Sequence, residues 1–150
     1  MLLRKGTPAD APALAQAWFA MMTEGGYLSP AAPEGWAEAL AAAFVEEMGA
    51  GRSAWFVVEA DGRLAATAAV FFRSSFWNEI FAEPAQGLIA GVYTWPEFRR
   101  RGHARQLVEA AIAWAKDKGV KTLRLRAAPN ARGLYESLGF AASDEMVLQL

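Results

Sequence analysis

A short basic segment is the part of this sequence whose residue types and spacing most clearly suggest chemistry. Residues 96–111 read PEFRRRGHARQLVEAA. Between residues 99 and 105 there are four arginines and no acidic residue: Arg99, Arg100, Arg101 and Arg105. A helix N-terminus presents N–H groups and a positive dipole end, and arginines beside it bind phosphate oxygens. Gly102 permits a positive φ and Ala104 adds little bulk. The segment therefore predicts a pyrophosphate or polyphosphate site, with an ordinary solvated basic turn as the alternative.

The patterns on both sides of this segment predict a mixed α+β domain. Period-two apolar runs and turn residues predict strands at about residues 1–7, 53–60, 63–72, 86–95, 120–127 and 140–150. Apolar residues at helical spacing predict helices at about residues 8–24, 33–48, 103–118 and 130–138. Asp61-Gly62 is a hairpin signal between the second and third strands. The order βααβββαβαβ indicates one mostly antiparallel sheet flanked by helices, in a single domain over residues 1–150.

Composition limits the chemistry. The chain has 150 residues, no cysteine and one histidine, His103. Disulfides, thiolate nucleophiles and a zinc site built on several imidazoles are therefore excluded, and we expect no metal. No uncharged run reaches the roughly 18 residues of a membrane span, and the N-terminus lacks the pattern of a signal peptide. We expect a cytoplasmic protein with no membrane partner.

The charge is unevenly distributed along the chain. Residues 1–98 hold five Lys and Arg against eleven Asp and Glu, a net charge of −6. Residues 99–150 hold ten basic and five acidic residues, a net charge of +5. Two faces of opposite potential would suit an anion and a cation, although unequal halves can also mix in the fold. One small basic cluster in an acidic chain fits extended nucleic acid poorly.

Two motifs together resemble the GNAT superfamily of N-acetyltransferases. The first is Arg/Gln-x-x-Gly-x-Gly/Ala after a strand and proline and before a helix, here Arg99-Arg100-Arg101-Gly102-His103-Ala104. The second is the closing motif LYESLGF, residues 134–140. The detailed similarity covers about residues 88–140, and the element order extends it over the whole chain. The segment is neither a P-loop nor a GxGxxG fingerprint, because it lacks both glycine patterns.

The resemblance implies acetyl-CoA as cosubstrate and assigns residues to it. The strand before the loop separates from its neighbour in this family, and its backbone there binds the pantetheine arm; Val92, Tyr93 and Thr94 occupy that stretch. The pyrophosphate is expected on the segment from Arg99 to Ala104. Tyr135 corresponds to the tyrosine beside the thioester sulfur, where a phenol can protonate a departing thiolate. Packing alone is the other interpretation of Tyr135.

Two positions depart from the family pattern. His103 stands where the family usually has an apolar residue, so it either contacts a phosphate or only begins the helix. Asn130 lies five residues before Tyr135, whereas the family asparagine usually lies about seven before it. A cofactor contact by Asn130 therefore stays open.

No sequence motif identifies the binding site of the amine that accepts the acetyl group. Direct attack on a thioester needs a neutral amine, so a carboxylate or water must accept a proton. Glu79, Glu83, Glu34 and Glu38 are the carboxylates near the regions that border the acceptor in the family. Glu79 and Glu83 lie in the loop at residues 73–84, which also contains three aromatic residues: Phe76, Trp77 and Phe81. These aromatic side chains could line an acceptor pocket, pack under the sheet or form a dimer contact.

These inferences predict an N-acetyltransferase acting on a primary amine. The amine could belong to a small metabolite, a polyamine, an aminoglycoside or a peptide, and a homodimer stays open. A binding module of the same fold that senses acyl-CoA or a metabolite without turnover is the alternative. A nucleic-acid module is a third and weaker alternative.

Overall fold

The computed structural model describes residues 1–28, 32–73, 80 and 86–150. Its strands are β1 Leu2–Lys5, β2 Ser53–Ala60, β3 Arg63–Arg73, β4 Gln86–Thr94 and β5 Leu123–Arg124. Its helices are α1 Ala11–Glu24, α2 Trp36–Gly49, α3 His103–Asp117 and α4 Arg132–Ser137. Short 3₁₀ turns lie directly before α1, at Pro8–Asp10, and directly before α4, at Pro129–Ala131. A third 3₁₀ turn, Pro96–Phe98, lies between β4 and α3.

The strands form one sheet in the order β1-β2-β3-β4-β5. The first three pairings are antiparallel and the pairing of β4 with β5 is parallel. The predicted mixed α+β class, with a mostly antiparallel sheet flanked by helices, is confirmed. Asp61 and Gly62 both have positive φ, 52° and 72°, as a two-residue hairpin turn requires.

The sheet is covered on both faces, and β2 shows why. Phe56 and Val58 belong to one buried cluster, which includes Leu107 and Val108 of α3. Trp55, the residue before Phe56 in β2, belongs to another cluster, which includes residues of α1 and α2. Residues 54–58 of β2 are all apolar and buried. Because successive strand residues point to opposite faces, such a run must pack against helices on both sides.

The structure differs from the predicted elements at four places. α1 begins at Ala11, after a 3₁₀ turn, and α2 begins at Trp36, after Gly35 in the left-handed conformation. The strand predicted at 120–127 is reduced to β5, two residues long. Residues 140–150 form no strand. A strand is stable only when its backbone groups are paired with a neighbour. Within the described chain, residues 120–127 pair with β4 at two positions only, and residues 140–150 pair with no strand.

No helix in the described ranges is both long and apolar enough to cross a membrane.

Candidate functional site

The sheet opens between β4 and β5. The two strands pair only at Gly87 with Leu123 and at Leu88 with Arg124. β4 continues to Thr94, so residues 89–94 have no partner from β5. We call this opening the wedge, and Val92, Tyr93 and Thr94 lie at its wide end. Strand backbone that lacks a neighbour can bind an extended ligand through main-chain hydrogen bonds.

A β-bulge on the other edge of β4 sets the direction of the strand. Between Thr67 and Ala69, β3 advances two residues while β4 advances three, from Ala90 to Tyr93. The extra residue lies at Gly91, whose carbonyl accepts a 2.8 Å hydrogen bond from the buried Thr67 hydroxyl. Gly91 has φ +60°, and a Cβ there would lie 2.9 Å from the Trp55 ring. Only glycine fits this bulge, and bulges often redirect strands beside functional sites.

The wide end of the wedge continues into the arginine segment, where the backbone turns sharply twice. Arg100 has φ +62°, and Gly102, the residue before α3, has φ +81°. The first backbone bond of the helix runs from the Gln106 amide to the Gly102 carbonyl, at 3.2 Å. The amides of residues 100–105 donate to no other backbone group of the described chain. They are therefore available, with the helix dipole, to bind an anion.

The arginine side chains have different surroundings. Arg99 donates to the Thr94 carbonyl at 2.9 Å and forms an ion pair with Glu24 at 2.7 Å. Arg101 donates to the Glu97 carbonyl at 3.0 Å and lies over the Phe98 ring. Arg100 is exposed and its guanidinium forms no hydrogen bond or ion pair with the described residues. Arg99 and Arg101 thus hold the loop in shape, while Arg100 leaves its charge available.

His103 begins α3 with its side chain buried. The imidazole is 3% exposed, and neither ring nitrogen has a hydrogen-bond partner in the described chain. Ala104, the next residue, is half-buried. Because the imidazole is enclosed, a phosphate contact by His103 would have to use its backbone amide.

Tyr135 lies in α4 and packs in the same buried cluster as Phe98 of the loop and Val108 of α3. It is 7% exposed, and burial raises the pKa of its hydroxyl above the usual value near 10. The phenol is therefore protonated at neutral pH and able to donate. Arg105, in the first turn of α3, donates to the Ser137 hydroxyl and links the two helices. The structure thus joins α4, the helix that carries Tyr135, to the first turn of α3.

The sequence analysis did not identify a polar cluster formed by Glu24, Tyr93 and Arg99. Glu24, the last residue of α1, accepts a 2.7 Å hydrogen bond from the Tyr93 hydroxyl and pairs with Arg99. The Tyr93 hydrogen bond, and then Arg99, lower the pKa of Glu24, while burial and Glu24 raise the pKa of Tyr93 to about 12. An acid at a helix C-terminus opposes the dipole and needs such partners, which is the signal that could have identified it.

The other predicted residues are exposed or lie outside the described ranges. Glu34 and Glu38 are exposed, in the turn before α2 and in its first turn. Asn130 is exposed in the 3₁₀ turn before α4. Five predicted residues between β3 and β4 lie outside the described residues: Phe76, Trp77, Glu79, Phe81 and Glu83. Among the described residues, no group of three or more acidic or histidine side chains could hold a metal ion.

The half-open sheet, whose wedge ends at a helix N-terminus with available amides, has the shape and charge that an extended anionic ligand requires. The model of the Acetyltransferase (GNAT) family matches residues 22–140, and the chain belongs to this family. The aminoglycoside N(6')-acetyltransferase type 1 of Salmonella typhimurium is 27% identical over 95 residues. That match covers 61% of this chain and 65% of the relative, slightly less than two thirds of its length.

Solved structures share the fold over the whole chain. A predicted acetyltransferase from Clostridium acetobutylicum, solved with acetyl-CoA, has a TM-score of 0.83 at 22% identity and covers 99% of this chain and 95% of its own. Glucosamine-6-phosphate N-acetyltransferase from Arabidopsis thaliana has a TM-score of 0.73 at 19% identity, with coverage of 99% and 97%. At these low sequence identities, the similarity to the solved structures shows a shared fold alone.

Proposed function

We propose that this protein, as one domain over residues 1–150, is an N-acetyltransferase that moves an acetyl group from acetyl-CoA to a primary amine. The observation that carries the proposal is the continuous path from the open edge of β4 to the available amides at the start of α3. An extended molecule with a pyrophosphate at one end and a thioester at the other matches that path in shape and charge.

The residues of the path fit acetyl-CoA in order. The backbone of Val92, Tyr93 and Thr94 would bind the pantetheine arm in the wedge. The pyrophosphate would lie on the segment from Arg99 to Ala104, bound by the amides of its later residues and the guanidinium of Arg100. A Cβ added at Gly102 would meet no atom of the described chain within 4 Å, so the space beside this residue is open to a phosphate.

Tyr135 is the proposed acid for the leaving group. The amine nitrogen forms a bond to the acetyl carbon, the carbon–sulfur bond breaks, and the sulfur takes a proton from the Tyr135 hydroxyl. Because burial keeps this phenol protonated, it is in the correct state to donate. The proton lost by the amine goes to a base or to water. Glu34, Glu38, Glu79 and Glu83 remain predicted bases.

Glu24 does not suit that role. Its carboxylate is held by Tyr93 and Arg99, and the lowered pKa makes it a weaker base than an ordinary glutamate. The acceptor is proposed to be an amine of a small molecule or peptide. The names of the Salmonella relative and the Arabidopsis structure, which cite an aminoglycoside and glucosamine-6-phosphate, support a polar amine of this kind.

Calorimetric titration with acetyl-CoA tests the cofactor assignment. We expect binding by the wild type and its loss in the double variant Arg101→Glu, Gly102→Asp. The matched control is Gly51→Asp, Arg52→Glu, which changes a positive-φ glycine and an exposed arginine at the end of α2. This control should bind like the wild type. A folded wild type that does not bind acetyl-CoA would exclude the proposed cosubstrate.

Tyr135→Phe separates an enzyme from a binding module of the same fold. We expect thiol release with an accepted amine to slow by about 10²-fold, the usual contribution of a positioned acid, with little change in the acetyl-CoA dissociation constant. If turnover is unchanged, Tyr135 only packs. If no amine in a broad panel supports turnover although acetyl-CoA binds, the protein is a binding module.

A further inference from the structure

A surface pocket lies between the edge strand β1 and the first turn of α3. Its volume is about 400 Å³, within the roughly 300–1,000 Å³ that is usual for small-molecule sites. It is lined by Met1, Leu3, Val58, Arg101, His103 and Gln106. Because β2 and β3 lie between β1 and β4 in the sheet, this pocket is separate from the wedge, and we call it the β1 pocket.

One wall of the β1 pocket is apolar. Leu3 of β1 pairs with Val58 of β2, so the two side chains lie on the same face of the sheet. Val58 belongs to the buried cluster that includes Leu107 of α3, whereas Leu3 is 40% exposed and Met1 is exposed. The described chain therefore leaves part of this wall uncovered, and an apolar group placed on it would be removed from water.

The opposite wall contains a buried polar side chain without a partner. His103 is 3% exposed, and neither of its ring nitrogens has a hydrogen-bond partner in the described chain. A buried donor without a partner costs free energy, and an imidazole can donate from either ring nitrogen. A ligand oxygen in the β1 pocket would supply the missing acceptor.

Gln106 lies beside His103 on the same face of α3, three residues further along the helix. Its side chain is exposed and forms no hydrogen bond with the described residues. It is therefore free to move aside and open the imidazole to the pocket, and its amide group can donate to the same ligand. The two side chains together offer donors to one acceptor group.

Arg101 adds a positive charge to this polar wall. Its guanidinium donates to the Glu97 carbonyl at 3.0 Å and forms no ion pair with the described residues. The Glu97 carboxylate pairs with Arg63 at 2.7 Å instead. Glu59, the residue after Val58, pairs with Arg4 at 3.1 Å. The pocket thus has a guanidinium whose charge the neighbouring carboxylates do not neutralise, which favours an anionic ligand.

We propose that the β1 pocket binds a small carboxylate that carries an apolar chain. The carboxylate oxygens accept hydrogen bonds from Arg101, His103 and Gln106, and the chain covers Leu3 and Val58. A carboxylate fits better than a phosphate, because its single negative charge matches one guanidinium and leaves no excess charge in a half-apolar pocket. The site uses none of the groups proposed to bind the pyrophosphate, so it does not depend on the proposed activity.

Methyl NMR with hexanoate as the probe locates the ligand. We expect saturable shifts of the Met1, Leu3 and Val58 methyl groups, with and without saturating CoA, because the two ligands use different groups. The absence of saturable shifts up to about 10 mM hexanoate would overturn the proposal. Shifts that vanish when CoA is added would show that hexanoate occupies the wedge, and would also overturn it.

Two further probes separate the charge from the apolar chain. Hexylamine, with the same chain and the opposite charge, should not bind. Acetate should bind at least about 10-fold more weakly than hexanoate, since each buried methylene strengthens binding by up to about fourfold. Binding of hexylamine would contradict the anion site, and equal binding of acetate and hexanoate would contradict the apolar wall. Hexyl phosphate that binds more than about 10-fold more tightly than hexanoate would contradict the choice of a carboxylate.

Gln106→Glu tests the polar wall with a residue of the same shape. It should raise the hexanoate dissociation constant by at least about 10-fold, because it places a like charge beside the carboxylate. The matched control is Gln16→Glu, an exposed glutamine of α1, the helix that covers the other face of the sheet. This control should bind hexanoate like the wild type. Unchanged binding by Gln106→Glu would contradict the site.

His103→Leu separates binding from structure. It should raise the hexanoate dissociation constant by about 10-fold through the lost donor. Without ligand it should unfold at a higher urea concentration than the wild type, because it removes two buried nitrogens that have no partner in the described chain. Unchanged hexanoate binding would exclude the imidazole from the site and contradict the proposal. Should this variant fail to fold, Gln106→Glu, which changes an exposed side chain, decides the question.

Discussion

The two edges of β4 differ in how much of their length is paired with a neighbouring strand. On one edge the strand pairs with β3 along its whole length, from Gln86 opposite Arg73 to Thr94 opposite Ala66. On the other edge only Gly87 and Leu88 pair with β5. The paired edge belongs to a well-packed half that includes β1, β2 and β3. The open edge leaves backbone groups for a ligand. Under the proposed function, the same strand serves stability on one side and binding on the other.

The ion pairs on the two sides of β4 differ in how far their side chains are exposed to solvent. In the paired half, Arg4 makes a two-point contact with Asp10, whose side chain is 11% exposed. Beside the wedge, Arg99 and Glu24 are 43% and 48% exposed. Because solvent screens exposed pairs, the first pair should contribute to stability and the second mainly to the shape of the loop.

The largest effect is expected at Gly91, on the boundary between the two halves. Gly91→Ala should lower the free energy of unfolding by about 2–4 kcal/mol, because a Cβ strains the positive φ and meets the Trp55 ring. Gly119→Ala is the control, since φ there is +79° and a Cβ would meet no described atom within 4 Å. It should cost about 1 kcal/mol from strain alone. Equal losses in urea unfolding would show that the contact with Trp55 does not matter.

In the paired half, Asp10→Asn should remove about 1–2 kcal/mol of stability at pH 7. Hydrogen bonds from Arg4, and then from Thr7, lower the pKa of Asp10 to about 2. A lowered pKa stabilises the fold above the unfolded value of about 3.9, and this contribution is lost as pH falls toward 2. The free energies of unfolding of the two proteins should therefore converge only below pH 2, because Asp10 is still half ionised at its folded pKa of about 2. A difference that persists there would point to lost packing instead.

Beside the wedge, Glu24→Gln should change stability by less than about 1 kcal/mol, because both partners are about half exposed. The small contribution of Glu24 is present above the ordinary glutamate pKa and is lost as pH falls through its lowered pKa. Acetyl-CoA binding should weaken severalfold, since Arg99 loses one of its two anchors on the loop. Calorimetry beside urea unfolding measures both. A large stability loss with unchanged binding would contradict the interpretation that the Arg99–Glu24 pair mainly sets the shape of the loop.

A similarly small effect on stability is expected at Arg100, and it has the opposite sign. Arg100→Gly should raise the free energy of unfolding by up to about 1 kcal/mol, because glycine accepts φ +62° without strain. It should also weaken acetyl-CoA binding severalfold through the lost charge. Asp61→Gly is the matched control in the β2–β3 hairpin, with φ +52°. It should stabilise similarly and leave binding unchanged, so weaker binding in both variants would contradict a local role for Arg100.

Local features were predicted well. The β2–β3 hairpin and α3 lie within one or two residues of their predicted bounds. Asp61-Gly62 and the apolar stripe of α3 act over a few residues, so their structural effect can be inferred from the sequence around them. The amides at the start of α3 follow from the same local pattern. The roles of the site residues remain predictions.

Features that join distant segments were not predicted. Glu24 lies 69 residues from Tyr93 and 75 from Arg99, and no local pattern connects them. The strand predicted at 120–127 is short in the structure, and residues 140–150 form none. A strand pattern states that a segment could pair, whereas its length depends on the partner that it finds.

The sequence by itself determined the helices, the hairpin and the arginine-rich turn before α3, because backbone preference, apolar period and charge act between near neighbours. The tertiary structure decided that β4 is bulged at Gly91, that the sheet opens beside it, and that Glu24 holds Tyr93 and Arg99. These features arise from pairing and packing between segments far apart in the chain, where the energy of a residue depends on what the fold brings against it.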